Sequence, residues 1–130
     1  MSQSHAPLGD PNHAIDLALF GALGDLAMRK LFPALYHLDR EGLMPESTRI
    51  MGLARQEHDT AAFRQLVKGA LQKRLKKEEQ DKASLERFLN RLEYLKLDFA
   101  TAEGYDAIRQ WREGSKRPMV VYLSVAARIY

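Results

Sequence analysis

Residues Leu17–Tyr36 read LALFGALGDLAMRKLFPALY, and the pattern changes character twice within them. An apolar run from Ile15 to Phe20, broken only by Asp16, ends at Gly21 and Gly24. Helix-period spacing follows, with Asp25 at its mouth and Arg29 and Lys30 just inside. This is the pattern of a strand, a tight turn and a helix start. Glycine accepts positive φ and lets backbone come close to a ligand, and the free N–H groups of a helix N-terminus hold anions. A dinucleotide pyrophosphate fits such a turn. An ordinary strand-to-helix turn has the same G-x-x-G spacing, because one glycine of the G-x-G-x-x-G fingerprint is absent.

Beyond this stretch, strand and helix patterns alternate. Pro33 cannot donate a hydrogen bond inside a helix, so a short turn over residues 26–30 is expected before a main helix that carries Pro33 in its first turn and ends at Glu41-Gly42. TRIMGLAR, residues 48–55, reads as a second strand ending at Arg55. Asp59 or Thr60 can cap the next helix, which presents Phe63, Leu66, Val67, Ala70 and Leu71 on one face. A third helix over residues 82–92, a short strand over 94–99, a helix over 105–111 and a central apolar strand from Pro118 to Val125 complete the pattern. Alternating strands and helices imply an α/β fold with a parallel sheet, helices on both faces and right-handed crossovers. The expected architecture is a Rossmann-type domain over residues 14–130, preceded by a loose polar tail at 1–13. Four strands against the usual six leave that sheet incomplete at its C-terminal side, which reads as the front part of a larger protein.

Composition narrows the function classes. With 130 residues the chain suffices for one core. No apolar run nears the roughly 20 residues of a membrane helix, and the polar N-terminus lacks the apolar core of a signal peptide. A cytoplasmic protein without membrane contact is expected. The absence of cysteine excludes disulfides, thiolate metal sites and a cysteine nucleophile. His5, His13, His37 and His58 show no ligand-pair spacing, so no metal site is expected. The net charge of +3 suits an anionic ligand or an anionic polymer.

The string GALGDLAMRKLFPALY closely resembles the N-terminal signature of the glucose-6-phosphate dehydrogenase family, in its bacterial branch, and the resemblance runs from about Leu17 to Tyr130. It implies a coenzyme-binding domain for NADP. Gly21, Ala22, Gly24, Asp25 and Leu26 fall on the family's phosphate loop, which extends through Ala27 and Met28. Leu23 departs from the serine or threonine common there, which removes a hydroxyl but not the backbone N–H groups. Asp25 is unsuited to an anion and reads as a helix cap or a loop-bracing carboxylate. Arg55 matches the family's Gly-x-Ala-Arg stretch, at the place where arginine suits the 2′-phosphate of NADP and an acid suits the 2′-hydroxyl of NAD. Lys30 falls on a family lysine near the phosphates and the substrate side of the cleft; its alternative is a solvated helix lysine. Asp98 and Phe99 fall where the family borders the adenine, or form a strand-end turn with a core phenylalanine. YLSVAARIY, residues 122–130, resembles the segment beside the nicotinamide, with Ser124 near the cofactor through backbone and Tyr130 as a contact; Ala127 replaces the family's proline.

The family's Glu-Lys-Pro segment, catalytic histidine with paired aspartate and His-Tyr substrate region have no counterpart in these residues, so no catalytic residue is named. The resemblance implies a complete enzyme that oxidises glucose 6-phosphate to 6-phosphogluconolactone at the entry to the pentose phosphate pathway, a homo-oligomer that does not bind nucleic acid. The alternative is a basic nucleic-acid-binding module centred on Lys68, Lys73, Arg74, Lys76, Lys77 and Lys82. Glu78, Glu79 and Asp81 offset that run, and no aromatics interleave with it, as a solvated helix face would have it.

Overall fold

The computed structural model describes residues 14–97 and 102–123. The tail at 1–13 and four of the candidate site residues, Asp98, Phe99, Ser124 and Tyr130, lie outside them. Four strands, β1 (Asp16–Phe20), β2 (Arg49–Ala54), β3 (Leu92–Lys96) and β4 (Met119–Leu123), form one sheet in the order β3-β2-β1-β4, with every neighbouring pair parallel. Helices α1 (Phe32–Arg40), α2 (Thr60–Arg74), α3 (Lys82–Asn90) and α4 (Ala102–Arg112) fill the connections. This is the Rossmann-like α/β sheet expected from the alternating pattern.

Strand alternation divides the core. Leu17, Leu19, Ile50, Leu92 and Tyr94 face the layer of α1, α2 and α3, where Phe32, Tyr36, Phe63, Val67, Leu71 and Phe88 are buried. Ala18, Phe20, Met51 and Leu53 face the other way, against Ile108 and Trp111 of α4. Side chains that alternate with period two thus supply both covered faces of β1 and β2.

Gly52 lets α2 approach β2. A Cβ there would lie 2.5 Å from the Phe63 ring and 3.0 Å from the Ala22 Cβ. Pro33 shapes the first helix. The Phe32 N–H bonds to the Ala27 carbonyl five residues back, which makes residues 27–31 a π-helical turn. A proline ring crowds the carbonyl four residues before it and supplies no N–H, and the widened turn accommodates both. α1 then ends at Arg40, Glu41 caps it, and Gly42 takes φ +76°.

Two expectations are corrected. β3 begins at Leu92, two residues earlier than its alternation suggested, and α3 stops at Asn90. Leu92 continues the spacing of Leu85, Phe88 and Leu89, yet it belongs to the strand: it lies opposite Ile50, and the Arg91 carbonyl accepts from the Ile50 N–H at 3.0 Å, while the Arg91 side chain is buried. Its guanidinium donates to the carbonyls of Pro45 and Thr48 and pairs with buried Asp39 at 2.9 Å. β4, expected to be central, is the outer strand of the described sheet, beside β1, and all five of its residues are exposed.

Candidate functional site

All four strands point the same way, so the connections that follow them collect at one sheet edge. The chain leaves β1 toward β2 on one side and reaches β4 on the other. A reversal of strand order of this kind opens a crevice between the two connections at the carboxyl edge, where open α/β sheets bind ligands. The loop that follows β1 borders that crevice. Gly21 turns the chain with φ +80°, a conformation that costs a residue with a Cβ, whereas Gly24 is not among the left-handed glycines. Gly24 donates to the Gly21 carbonyl at 3.0 Å and accepts from Met28 at 3.0 Å, which starts the helix.

The inner side of this loop is pinned. The carbonyl of Leu53, near the end of β2, accepts from Gly21 at 2.9 Å and from Ala22 at 3.2 Å. Ala22 and Ala27 are fully buried, and Leu23 and Met28 pack against the same core, so these four side chains are committed to packing and offer a ligand mainly backbone. The outer side, Gly24, Asp25 and Leu26, is exposed. The Asp25 carboxylate pairs with Arg29 at 2.8 Å, one turn on. This is an exposed pair within the first turn of the helix. Lys30 lies exposed on the π-helical turn. A groove of about 420 Å³ runs along the α2 side of the loop, from Leu23 and Met28 to Leu66 and Lys73.

Arg55 follows β2 directly and is exposed at the same edge, two residues beyond the carbonyl that pins the glycine turn. The connection ends at Asp59, whose carboxylate caps α2 by accepting from the Ala62 N–H at 2.7 Å. Asp98, Phe99, Ser124 and Tyr130 lie outside the described residues.

Residues 18–130 match the family model "Glucose-6-phosphate dehydrogenase, NAD binding domain". The chain belongs to the glucose-6-phosphate dehydrogenase family. It is 38% identical over 121 residues to a glucose-6-phosphate 1-dehydrogenase of Rhizobium meliloti, covering 92% of this chain and 25% of the relative. A counterpart in Gluconobacter oxydans is 39% identical over 119 residues, covering 88% and 24%. Among solved structures, a glucose-6-phosphate dehydrogenase in complex with its substrate glucose-6-phosphate superposes with a TM-score of 0.76 at 31% identity, covering 89% of this chain and 25% of that one. The enzyme from Mycobacterium avium gives 0.74 at 26% identity, covering 90% and 25%. The chain thus spans about a quarter of the length of these relatives and corresponds to the family's nucleotide-binding domain.

The comparisons give the nucleic-acid alternative no support, and the acids within the basic run have structural duties. Glu79 accepts from the Lys76 N–H at 3.0 Å, and Asp81 caps α3 while pairing with Arg40 at 3.0 Å. Among the described residues, no group of acids and histidines could hold a metal ion, and no helix is long and apolar enough to cross a membrane.

Sequence reasoning missed the charged hub at the opposite edge. Asp16, fully buried, accepts from Arg49 at 2.8 and 3.0 Å, from Arg117 at 2.7 Å and from the Ser115 hydroxyl at 2.7 Å, with Arg112 at 3.3 Å. Burial pushes its carboxyl up, but the hydrogen bonds from Arg49, Arg117 and Ser115 outweigh burial and hold it far below the usual carboxylate range. The one signal in sequence was a charge inside an otherwise apolar strand.

Proposed function

We propose that the chain binds NADP as the coenzyme domain of a cytoplasmic, homo-oligomeric glucose-6-phosphate dehydrogenase. Its loop from Gly21 to Met28 receives the pyrophosphate on backbone N–H groups other than those of Gly21, Ala22, Gly24 and Met28, which donate to Leu53 and within the loop, and Arg55 receives the 2′-phosphate. The observation that carries this reading is the Leu53 carbonyl, which ties the glycine turn to β2 two residues before an exposed arginine. The donor set fits the coenzyme: a left-handed glycine turn, an exposed helix start and an exposed cation directly after β2, the strand beside β1. Lys30 is assigned to the phosphate and substrate side, Asp98 and Phe99 to the adenine, and Ser124 and Tyr130 to the nicotinamide.

When bound, the coenzyme supplies the hydride acceptor for C1 of glucose 6-phosphate. The residues of this chain hold and orient it; the general base and the sugar-phosphate site belong to the family's segments that have no counterpart here. Purified chain titrated with NADP should bind it. The same chain mixed with NADP and glucose 6-phosphate should show no rise in absorbance of reduced coenzyme, because binding alone does not orient a substrate. Turnover in proportion to chain would overturn the assignment of the chemistry to other segments. Absence of NADP binding would overturn the coenzyme reading itself.

A further inference from the structure

Arg55 stands on a connection that β3 holds from the side. The Tyr94 hydroxyl donates to the Gln56 carbonyl at 2.6 Å, and the Tyr94 N–H donates to the Thr60 hydroxyl at 3.1 Å. The Tyr94 ring meets His58 edge-on, with centroids 5.8 Å apart, and Lys96 pairs with Glu57 at 3.1 Å. Residues 56, 57, 58 and 60 therefore each touch β3. Tyr94 is itself anchored: its ring is buried 5.2 Å from that of Phe63, which meets Phe32 edge-on at 5.8 Å. Burial, and after it the Glu57 carboxylate, push the Tyr94 hydroxyl above its ordinary value.

We propose that Tyr94 is the positioning residue for Arg55, pinning the backbone next to it so that the guanidinium is aimed at the 2′-phosphate, and that it thereby sets the preference for NADP over NAD without touching either. The inference rests on the assignment of Arg55 to the 2′-phosphate. A long side chain on a wandering backbone loses more freedom on binding than one whose neighbouring peptide is fixed, and preorganisation reduces that loss. Tyr94 is the suitable brace because its hydroxyl reaches the loop from a ring locked in the core. Its lysine neighbour, by contrast, makes a pair between exposed side chains, which contributes little.

Tyr94→Phe deletes the hydroxyl and keeps the ring between Phe63 and His58. Calorimetric titration of the full chain with NADP and with NAD, at fixed salt, compares wild type, Tyr94→Phe, Arg55→Ala and the double variant. Tyr94→Phe should weaken NADP about three- to tenfold, the range of one hydrogen bond, and leave NAD unchanged. In the Arg55→Ala background it should add nothing, since coupled residues are not additive. Equal weakening for both coenzymes, or full additivity, overturns the brace. If Arg55→Ala leaves the preference intact, the reading of Arg55 fails first, on a separate arm. Backbone order parameters of residues 56–59 test the brace without coenzyme: they should fall in Tyr94→Phe while those of α3 hold, and unchanged values overturn it.

Discussion

Asp16 and Arg49 lie directly opposite one another at the first rung of β1 and β2, joined by two hydrogen bonds of 2.8 and 3.0 Å. The same carboxylate also collects Ser115, Arg112 and Arg117 from α4 and the turn before β4. One buried charge thus fastens the α4 and β4 side of the fold to the first two strands. Asp16→Asn should destabilise the protein by about 3 kcal/mol, the low end for a broken buried pair. The low end applies because the three guanidiniums keep 28–29% of their exposure and can turn to water.

The same carboxylate gives a pH signature. Its folded value is depressed, so its stabilisation is complete above the unfolded value near pH 4 and is lost as pH falls toward the folded value. Wild type should lose stability steeply below about pH 5, and Asp16→Asn should lose less over the same interval. Urea midpoints measured from pH 7 to pH 2 check this. Parallel curves for the two proteins would mean that the acid limb arises elsewhere.

Gly52→Ala should cost about 1–3 kcal/mol through overpacking. The new methyl would meet the Phe63 ring at 2.5 Å, and that ring is fully buried between Phe32 and Tyr94. Combining it with Phe63→Leu should recover part of the loss, which thermal or denaturant unfolding of the three variants would show. A Gly52→Ala protein as stable as wild type would mean that α2 moves freely away from β2.

Asp25 sits at the mouth of the proposed phosphate loop, where a carboxylate would repel phosphate, and Arg29 pairs with it at 2.8 Å. Arg29→Gln should therefore weaken NADP about two- to fivefold, within the span of an exposed pair. Adding Asp25→Asn should restore the affinity. Calorimetry at low and moderate salt distinguishes this from loss of a direct Arg29 contact, which the second substitution would not repair.

The glycine turn, the proline-delayed helix, the Asp59 cap and the place of Arg55 at the end of β2 were legible because each depends on a few adjacent residues. Asp16 was visible as a residue and opaque as a function: its partners Ser115 and Arg117 lie about a hundred residues on, and nothing in local spacing links them. The early start of β3 was hidden for a related reason. Leu92 fits the helix period, and its pairing opposite Ile50, with the Arg91 carbonyl accepting from the Ile50 N–H, is a long-range contact that local spacing does not show. The commitment of Ala22, Leu23, Ala27 and Met28 to the core was likewise unreadable, since the phosphate-loop pattern names positions and not the direction of their side chains. Tyr94 read as part of a strand; its reach to Gln56 required the register of β3 against β2.

Arg55→Ala separates recognition of the 2′-phosphate by this guanidinium from a structural role for it. Calorimetry with NADP and NAD at one fixed salt concentration is the measurement, because exposed charge pairs are screened. A charge-assisted contact of about 1.5–3 kcal/mol corresponds to about a 10- to 150-fold loss for NADP, with NAD, which lacks that phosphate, left as it was. Equal loss for both coenzymes, or no loss for either, would contradict the account.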